Sequence, residues 1–468
     1  MRRLLFYGSC CEFTTSRLYL TLWDIFISYI CLYNFLNIHC IAMRVFTVTI
    51  YSLIFYGFTL SSAFAQTDTT QRIEPGRRNS QGQQQKPYVI LISADGFRYD
   101  FATKYNATFL QSMKKKGVSS PYMQPSFPSL TFPNHYTLVT GLYPSHHGLI
   151  GNSFQDPENK EWYSKSKKEA VTAGKWYGGT PLWVLAEQQQ MVSASFYWAG
   201  SEADIKGLRP TYWYPYNEKI SMDRRIATVV KWLKLPEEQR PHLITFYLPE
   251  VDNAGHDFGP DSKEVEDAVS VVDSAVRKLT EEVAKTGLPV NFIFVSDHGL
   301  TKVNNENPIK ISEIPADTTK YTISGSGTMV EVFVKNKGDV NAVYDKLKHN
   351  AMGYKVYTKY NTPSYWHFST NDDVFGRIAD ILLEPQCPEY FSDKKAKPGA
   401  HGYDPVKVKD MRAIFIAWGP AFKSSLKIRA FENVHIYPLI VRILGLNMSE
   451  EIDGRRSVLE NTLNARVN

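Results

Sequence analysis

Three long apolar runs, each followed within a few residues by an aspartate, constrain the fold of this chain more than any other feature. They are Tyr88–Ser93 before Asp95, Leu243–Leu248 before Asp252, and Asn291–Ser296 before Asp297. A fourth apolar run, 413–417, has no aspartate behind it, and segments with helical spacing separate the runs. Apolar runs alternating with helices predict an α/β fold with a mostly parallel central sheet covered by helices on both faces. Because the carboxyl ends of parallel strands meet at one edge, we expect the three carboxylates to lie together there.

The remaining organisation is predicted from composition and periodicity. With 468 residues, 43% of them hydrophobic, the chain can bury a large core. We predict one catalytic domain over residues 88–468. Within it, residues 321–370 form a small α+β insert, with strand Met329–Val334, helix Val340–His349 and strand Tyr354–Lys359. Residues 153–220 are dense in Trp and Tyr and are predicted to be mostly loops.

The N-terminal segment indicates export. Residues 43–65 have a basic start, an apolar stretch and the ending Ala63-Phe64-Ala65, as in a cleaved secretory signal peptide. Residues 1–42 are interpreted as an upstream extension, with an uncleaved membrane anchor as the alternative. Residues 66–87 are polar, Gln-rich and without periodicity, which predicts a disordered linker. The mature form is expected to be periplasmic or extracellular, away from membranes unless the leader is retained.

The cysteine content and the net charge argue against two further classes of protein, those stabilised by disulfides and those that bind nucleic acids. Four of the five cysteines lie before residue 43, so Cys387 alone remains in the mature chain and no intrachain disulfide can form. An exported chain without disulfides is more typical of a bacterial periplasm than of an animal cell surface. The net charge of +6 is modest and scattered, so no nucleic-acid groove is expected.

The stretch 125–141 contains the most reactive candidate, Thr131. It precedes Phe132-Pro133, which predicts a proline at the first helical position, and a short apolar-periodic segment that ends at Gly141, a pattern typical of a capped helix. This places the Thr131 hydroxyl beside unpaired backbone N–H groups at the positive end of a helix dipole, where anions bind. The alternative is that Thr131 only caps the helix.

Several carboxylates and imidazoles could hold a metal near that hydroxyl. Asp252 and His256 are four residues apart, on one side of a helical turn, and Asp297 and His298 close an apolar strand. His401 lies in a glycine-flanked loop. Mixed carboxylate and imidazole ligands suit zinc better than magnesium or calcium, which prefer oxygen alone.

Six motifs together resemble the nucleotide pyrophosphatase/phosphodiesterase family of the alkaline phosphatase superfamily. They are SADGFR (93–98), TFPNHYTLVTGLYPSHHGLIGN (131–152), DNAGHDFGP (252–260), SDHG (296–299), HGYD (401–404) and DMRAIFIAWGPAF (410–422). The resemblance, which spans about residues 88–446, implies an alkaline-phosphatase-like fold and two zinc ions per chain. It implies that one zinc is held by Asp252, His256 and His401, and the other by Asp95, Thr131, Asp297 and His298.

The resemblance also implies the chemistry. Thr131 would be the nucleophile, forming a phosphothreonine, and Asn152 would donate to a phosphate oxygen. Phe132 and Tyr216 would stack on a nucleobase. The expected substrate is a nucleotide or dinucleotide, with nucleoside 5′-monophosphate as product. Two alternatives remain open, namely the same chemistry on a choline or lysophospholipid headgroup and a non-catalytic phosphoester-binding surface protein.

Overall fold

The computed structural model describes residues 69–448 and 450–465. The predicted extension 1–42 and signal peptide 43–65 therefore lie outside the described residues. Contacts divide the chain into units 1–67 and 68–468, and the description below concerns the second. Among the described residues, no helix is long and apolar enough to cross a membrane.

The described strands and helices have the following bounds. The strands are β1 Arg72–Ile73, β2 Tyr88–Ala94, β3 Val118–Ser119, β4 Met123–Gln124, β5 Ser153–Asp156, β6 Glu161–Ser164, β7 Ser193–Phe196, β8 Tyr212–Trp213, β9 Leu243–Leu248, β10 Val290–Val295, β11 Thr301–Lys302, β12 Tyr321–Ser326, β13 Met329–Val334, β14 Tyr354–Thr358, β15 Ile381–Pro385, β16 Gly399–Ala400, β17 Phe415–Trp418, β18 Leu426–Lys427 and β19 Phe431–Glu432. The helices are α1 Phe101–Lys104, α2 Thr108–Lys116, α3 Thr131–Thr140, α4 Pro144–His147, α5 Lys168–Val171, α6 Leu182–Gln188, α7 Met222–Leu233, α8 Glu250–Phe258, α9 Lys263–Ala284, α10 Val340–His349 and α11 Ile436–Leu444.

The main sheet has the strand order β1-β8-β7-β9-β2-β10-β17-β3-β18 among the described residues. The five adjacent strands β8, β7, β9, β2 and β10 are parallel to one another. The fourth apolar run forms β17, which is antiparallel to β10, so its end does not reach the edge where the aspartates lie. The predicted α/β fold with a mostly parallel sheet is confirmed.

Both faces of this sheet are covered, because side chains of successive strand residues point to opposite sides. Val89 and Leu91 of β2 pack in one hydrophobic cluster, which includes α3, α6 and α11 residues. Ile90 and Ile92 pack in another, which includes residues of α7 and α9. Burial on both faces explains why these strands are continuously apolar in sequence.

The insert forms its own four-stranded sheet in the order β12-β13-β15-β14. Strand β13 and helix α10 have the predicted bounds, and β14 ends one residue before the predicted Lys359. The sheet also includes β15, Ile381–Pro385, so the insert extends past residue 370. Helix α10 covers one face of it, where Val343 and Leu347 join a separate apolar cluster.

One prediction of irregular structure is wrong, and another is incomplete. The described part of the expected linker is ordered, since Arg72 and Ile73 pair with β8 and the buried Asn79 side chain donates to Glu237 and Arg240 carbonyls at 2.7 Å. Residues 153–220 lie mostly outside helices and strands, as predicted, but they also contain helix α6 and two strands of the main sheet, β7 and β8. Buried aromatic side chains fill this region, among them Trp176, Trp183 and Trp198.

Candidate active site

Three carboxylates meet at one edge of the main sheet. Asp95 and Asp297 follow β2 and β10, while Asp252 lies in the first turn of α8, just after β9. These strands are direct neighbours in the sheet, and all three side chains are buried. Gly96 makes the approach possible, since its φ is +67° and an added Cβ would lie 3.0 Å from Asp252 Oδ1.

His298 brings an imidazole against two of these carboxylates. Its Nε2 lies 2.9 Å from Asp297 Oδ2 and 3.5 Å from Asp95 Oδ1. The ring is stacked on that of His401 at 3.6 Å between centroids. Asp95, Asp297 and His298 therefore form one group whose ligand atoms lie within 4.8 Å of one another.

A second group forms around Asp252. His401 Nε2 lies 3.7 Å from Asp252 Oδ1, and His256 Nε2 lies 3.5 Å from Asp252 Oδ2. Asp252, His401 and His298 have ligand atoms within 4.8 Å of one another. His256 borders this group through Asp252 and is half-buried, its ring 5.0 Å from that of His401.

Backbone carbonyls orient all three imidazoles. Nδ1 of His256 bonds the Gly399 carbonyl at 2.8 Å, and Nδ1 of His298 bonds the Gly299 carbonyl at 2.9 Å. Nδ1 of His401 bonds the Ser129 carbonyl at 2.9 Å. A nitrogen facing a carbonyl oxygen carries a proton, so Nε2 is the nitrogen of each ring that is left to bind a metal. This arrangement is typical of metal-ligating histidines.

The carboxylates fit a cation. Asp95 Oδ1 and Asp252 Oδ1 are buried oxygens that accept no hydrogen bond, an arrangement that is costly without a compensating charge. Burial, together with the charges of Asp297 and Asp252, raises the pKa of Asp95 well above its usual value. A ligand set of imidazole nitrogen and carboxylate oxygen is one that zinc accepts.

Thr131 lies beside the first group. It is 4% exposed, and its Oγ1 is 3.4 Å from His298 Nε2. Helix α3 begins at Thr131 itself, Leu130 occupies the capping position, and no side chain caps the helix. Thr131 is therefore not an N-cap, and Pro133 is the third helical residue rather than the first. The hydroxyl faces the cluster.

The other predicted site residues surround Thr131 less closely. Asn152 Oδ1 accepts a 2.9 Å hydrogen bond from the Phe132 N–H, which leaves the amide N–H groups of Asn152 for another partner. The half-buried Phe132 ring is tilted against Tyr163 at 6.2 Å. Tyr216 is 46% exposed, and its ring lies 6.0 Å from that of Tyr247. The described aromatic contacts do not include one between Phe132 and Tyr216.

Two residues at the site were not predicted from the sequence. The Tyr247 hydroxyl donates to Asp95 Oδ2 at 2.6 Å. His135 Nδ1 lies 3.1 Å from Asp297 Oδ2 and 3.0 Å from the Thr131 carbonyl. The signals were weak, since Tyr247 is a polar-tipped residue near the end of an apolar strand and His135 follows Thr131 by four residues in a helix.

Comparison with known proteins identifies the family of this chain. The family model described as Type I phosphodiesterase / nucleotide pyrophosphatase matches residues 89–404. The chain belongs to this nucleotide pyrophosphatase/phosphodiesterase family.

Two relatives of this chain differ in length. The chain is 35% identical over 384 residues to an uncharacterized pyrophosphatase/phosphodiesterase of Schizosaccharomyces pombe, covering 76% of this chain and 77% of that one. It is 32% identical to ectonucleotide pyrophosphatase/phosphodiesterase family member 1 of Rattus norvegicus, covering 77% of this chain and 41% of that one. The chain thus spans about two fifths of the length of this mammalian relative.

Solved structures share the fold. Murine ectonucleotide pyrophosphatase / phosphodiesterase 5 superposes with a TM-score of 0.74 at 30% identity, covering 81% of this chain and 100% of that one. An inactive threonine-to-alanine variant of the murine protein, solved in complex with AMP, gives a TM-score of 0.75 at 29% identity and the same coverage.

Proposed function

We propose that this chain is a two-zinc phosphodiesterase/pyrophosphatase that cleaves nucleotide phosphodiester or phosphoanhydride bonds and releases nucleoside 5′-monophosphate. The observation that carries the proposal is the pair of buried carboxylate oxygens, Asp95 Oδ1 and Asp252 Oδ1, that have no hydrogen-bond partner. They belong to two groups of possible metal ligands that share His298, and the Thr131 hydroxyl lies 3.4 Å from the Nε2 of that histidine. Family membership supports the reaction class. The AMP complex of the murine relative supports a nucleotide as substrate.

The proposed zinc ligands follow the two groups. One ion would be held by Asp95, Asp297, His298 and Thr131. The second ion would be held by Asp252, His256 and His401. Zinc in such a pair of sites supplies Lewis-acid charge for phosphoryl oxygens and lowers the pKa of hydroxyl groups that it contacts. The three Nδ1–carbonyl bonds keep the imidazoles in the tautomer required for this role.

Thr131 is the proposed nucleophile. Its Oγ1 attacks phosphorus, the bond from phosphorus to the leaving oxygen breaks, and a phosphothreonine diester remains on the chain. A water molecule then attacks the same phosphorus, which frees Thr131 and the nucleoside 5′-monophosphate. Burial of Thr131 at the start of a helix limits the competing access of bulk water and places the helix N-terminus near the phosphate.

Asn152 favours a diester over a monoester. Its Oδ1 is held by the Phe132 N–H, so Nδ2 can donate to a nonbridging phosphate oxygen. An amide brings a neutral donor instead of a further positive charge. This suits a phosphodiester with a single negative charge and leaves the second charge of a monoester without compensation.

Export is also part of the proposal. The names of the relatives include ectoenzymes and a venom phosphodiesterase of Crotalus adamanteus. Together with the signal-peptide pattern of residues 43–65, this supports a secreted or periplasmic enzyme whose mature chain begins near Gln66. N-terminal sequencing of protein from its native host tests this, and a chain that still begins at Met1 or Met43 would contradict cleavage.

An activity panel tests the reaction class and the substrate. The substrates are a nucleotide 5′-aryl ester, an aryl phosphate monoester and an aryl ester of phosphocholine, each assayed with added zinc. We expect the nucleotide ester to be cleaved with the highest kcat/KM and the monoester poorly. Preference for the phosphocholine ester would replace the nucleotide assignment with a headgroup phosphodiesterase, and no turnover of any substrate would contradict an enzyme.

A further inference from the structure

The loop that carries His401 is fixed on one side by the residue two positions before Thr131. The Ser129 carbonyl accepts from His401 Nδ1 at 2.9 Å, and the Gly402 N–H donates to Ser129 Oγ at 3.2 Å. The same hydroxyl donates to the Tyr403 carbonyl at 2.7 Å. One serine therefore bonds three consecutive residues of this loop.

The insert fixes the other side of the loop. Thr328 lies between β12 and β13 and is 3% exposed, and its Oγ1 donates to the His401 carbonyl at 3.2 Å. The packing is tight, because a Cβ on Gly402 would lie 2.0 Å from Thr328 Oγ1. Gly402 also has a φ of +111°, so a side chain there would be strained as well as excluded.

The hairpin tip around Thr328 is held in place by the insert's own backbone. Gly327 and Phe391 exchange two backbone hydrogen bonds, of 2.9 and 2.8 Å. A second insert residue reaches the same loop further along, where the Tyr365 hydroxyl donates to Asp404 Oδ2 at 2.8 Å. The insert thus contacts the loop at His401 and again three residues later.

We propose that Thr328 is a positioning residue for His401, so that the insert takes part in metal binding through this hydroxyl. The inference rests on the proposed zinc function. His401 is 6% exposed, so without the hydroxyl its carbonyl would be a buried acceptor with one partner fewer. Relief of that cost requires a shift of the loop, and any shift changes the 3.7 Å separation of His401 Nε2 from Asp252 Oδ1.

The test compares Thr328→Ala with Thr328→Ser. Both variants lose the methyl group and they differ only in the hydroxyl. Thr358→Ala is the matched control, because Thr358 is a buried threonine of β14 in the same insert. The full-length proteins are loaded with zinc and titrated with a chelator, and the zinc released per chain is measured with a colorimetric indicator. Thermal unfolding of the metal-free forms reports stability separately.

We expect the wild type to release two zinc ions per chain. Thr328→Ala should release one of them at a chelator concentration lower by about tenfold, because residues that hold metal ligands in place typically change metal affinity by that factor. Thr328→Ser and Thr358→Ala should follow the wild type. Equal release by the Ala and Ser variants would overturn the inference while leaving the zinc enzyme intact. A wild type that binds no zinc would contradict the proposed function and this inference together.

Discussion

The Tyr247 hydroxyl donates a 2.6 Å hydrogen bond to Asp95 Oδ2, which leaves Asp95 Oδ1 as the buried oxygen without a partner. Burial and the Asp95 charge raise the pKa of Tyr247 well above its usual value, so the phenol remains a donor throughout the physiological pH range. The bond fixes the rotation of the carboxylate and directs its other oxygen at His298, 3.5 Å away. A strand residue thereby orients a proposed metal ligand.

Tyr247→Phe should weaken zinc binding. Loss of the phenol oxygen frees the Asp95 carboxylate to rotate, and contacts of this kind typically contribute 10- to 100-fold to metal affinity or activity, so we expect a loss of at least about tenfold. The loss is measured as zinc affinity, by chelator competition, and as kcat/KM for a nucleotide ester. Tyr197→Phe is the control, since the Tyr197 hydroxyl donates to the Asn217 carbonyl instead. Unchanged zinc affinity in Tyr247→Phe would show that the bond does not orient a ligand.

Removal of metal should abolish activity. The proposed ligand atoms are imidazole nitrogens and carboxylate oxygens, most of them buried, and two of the oxygens, Asp95 Oδ1 and Asp252 Oδ1, have no hydrogen-bond partner. We expect chelator-treated protein to lose turnover and zinc to restore it. Metal analysis of the active protein should give two zincs per chain. One ion or none in fully active protein would contradict the two-metal assignment.

The exposed Tyr216 should contribute to nucleotide binding. In proteins that bind single-stranded nucleic acids, replacing a ring that stacks on a base by alanine weakens binding by roughly 1–3 kcal/mol. Tyr216→Ala should therefore raise KM for a nucleotide ester by about tenfold. An aryl methylphosphonate has no base and should be scarcely affected. Phe132→Ala should also raise KM for the nucleotide ester if both rings contact the same base. Equal losses on both substrates in folded Tyr216→Ala would favour the headgroup alternative.

Tyr214 supplies the contrast for that experiment. It is 6% exposed and its ring stacks on Phe196 at 4.5 Å between centroids. Tyr214→Ala should therefore lower the unfolding free energy, by about 3–5 kcal/mol if it behaves as other buried aromatic residues do. Its effect should not distinguish the nucleotide ester from the methylphosphonate. The two tyrosines are two residues apart, yet one faces solvent and the other the core.

The carboxylate edge was predictable because it depends on topology alone. In a parallel sheet the strand ends coincide, so Asp95, Asp252 and Asp297 had to approach one another whatever their side-chain contacts. The direction of β17 was not visible in this way, because an antiparallel buried strand has the same apolar composition as a parallel one. The order of residues 69–87 was also hidden, since the stability of a two-residue edge strand comes from its partner β8 and not from its own sequence.

The contacts around the proposed metal ligands could not be predicted from the sequence, for a different reason. Thr328 and His401 are 73 residues apart in the chain and meet through a single hydrogen bond. Tyr247 and Asp95 are 152 apart. Spacing identifies pairs on one helix, such as Asp252 and His256, but pairs formed across elements depend on the packing of the insert and of neighbouring strands.

Glu331 should make stability depend on pH. Burial raises the pKa of this insert residue from 4.5 to about 8, so the folded state retains a proton that the unfolded chain releases. The unfolding free energy should therefore be highest below about pH 4.5 and fall until about pH 8. Glu331→Gln removes this effect, and its stability gain over the wild type should grow across that window to the order of a few kcal/mol.

The measurement is chemical denaturation of both proteins at several pH values. Taking the difference between them cancels the titration of groups that both proteins share. Glu158→Gln, at an exposed position, is the control and should show no such trend. A gain for Glu331→Gln that is the same at pH 4 and pH 8 would mean that the pKa of Glu331 is the same in the folded and unfolded states, and that burial does not raise it.

The central claim is that the Thr131 hydroxyl is the nucleophile of a zinc enzyme, and its removal tests that claim most directly. The measurement is kcat for a nucleotide 5′-aryl ester together with zinc content, for the wild type, Thr131→Ala and Thr131→Ser. We predict no turnover in Thr131→Ala with the fold retained and at least one zinc bound, because the proposed site around Asp252, His256 and His401 does not use Thr131. Thr131→Ser should keep part of the activity. Near-normal turnover by Thr131→Ala would contradict the account.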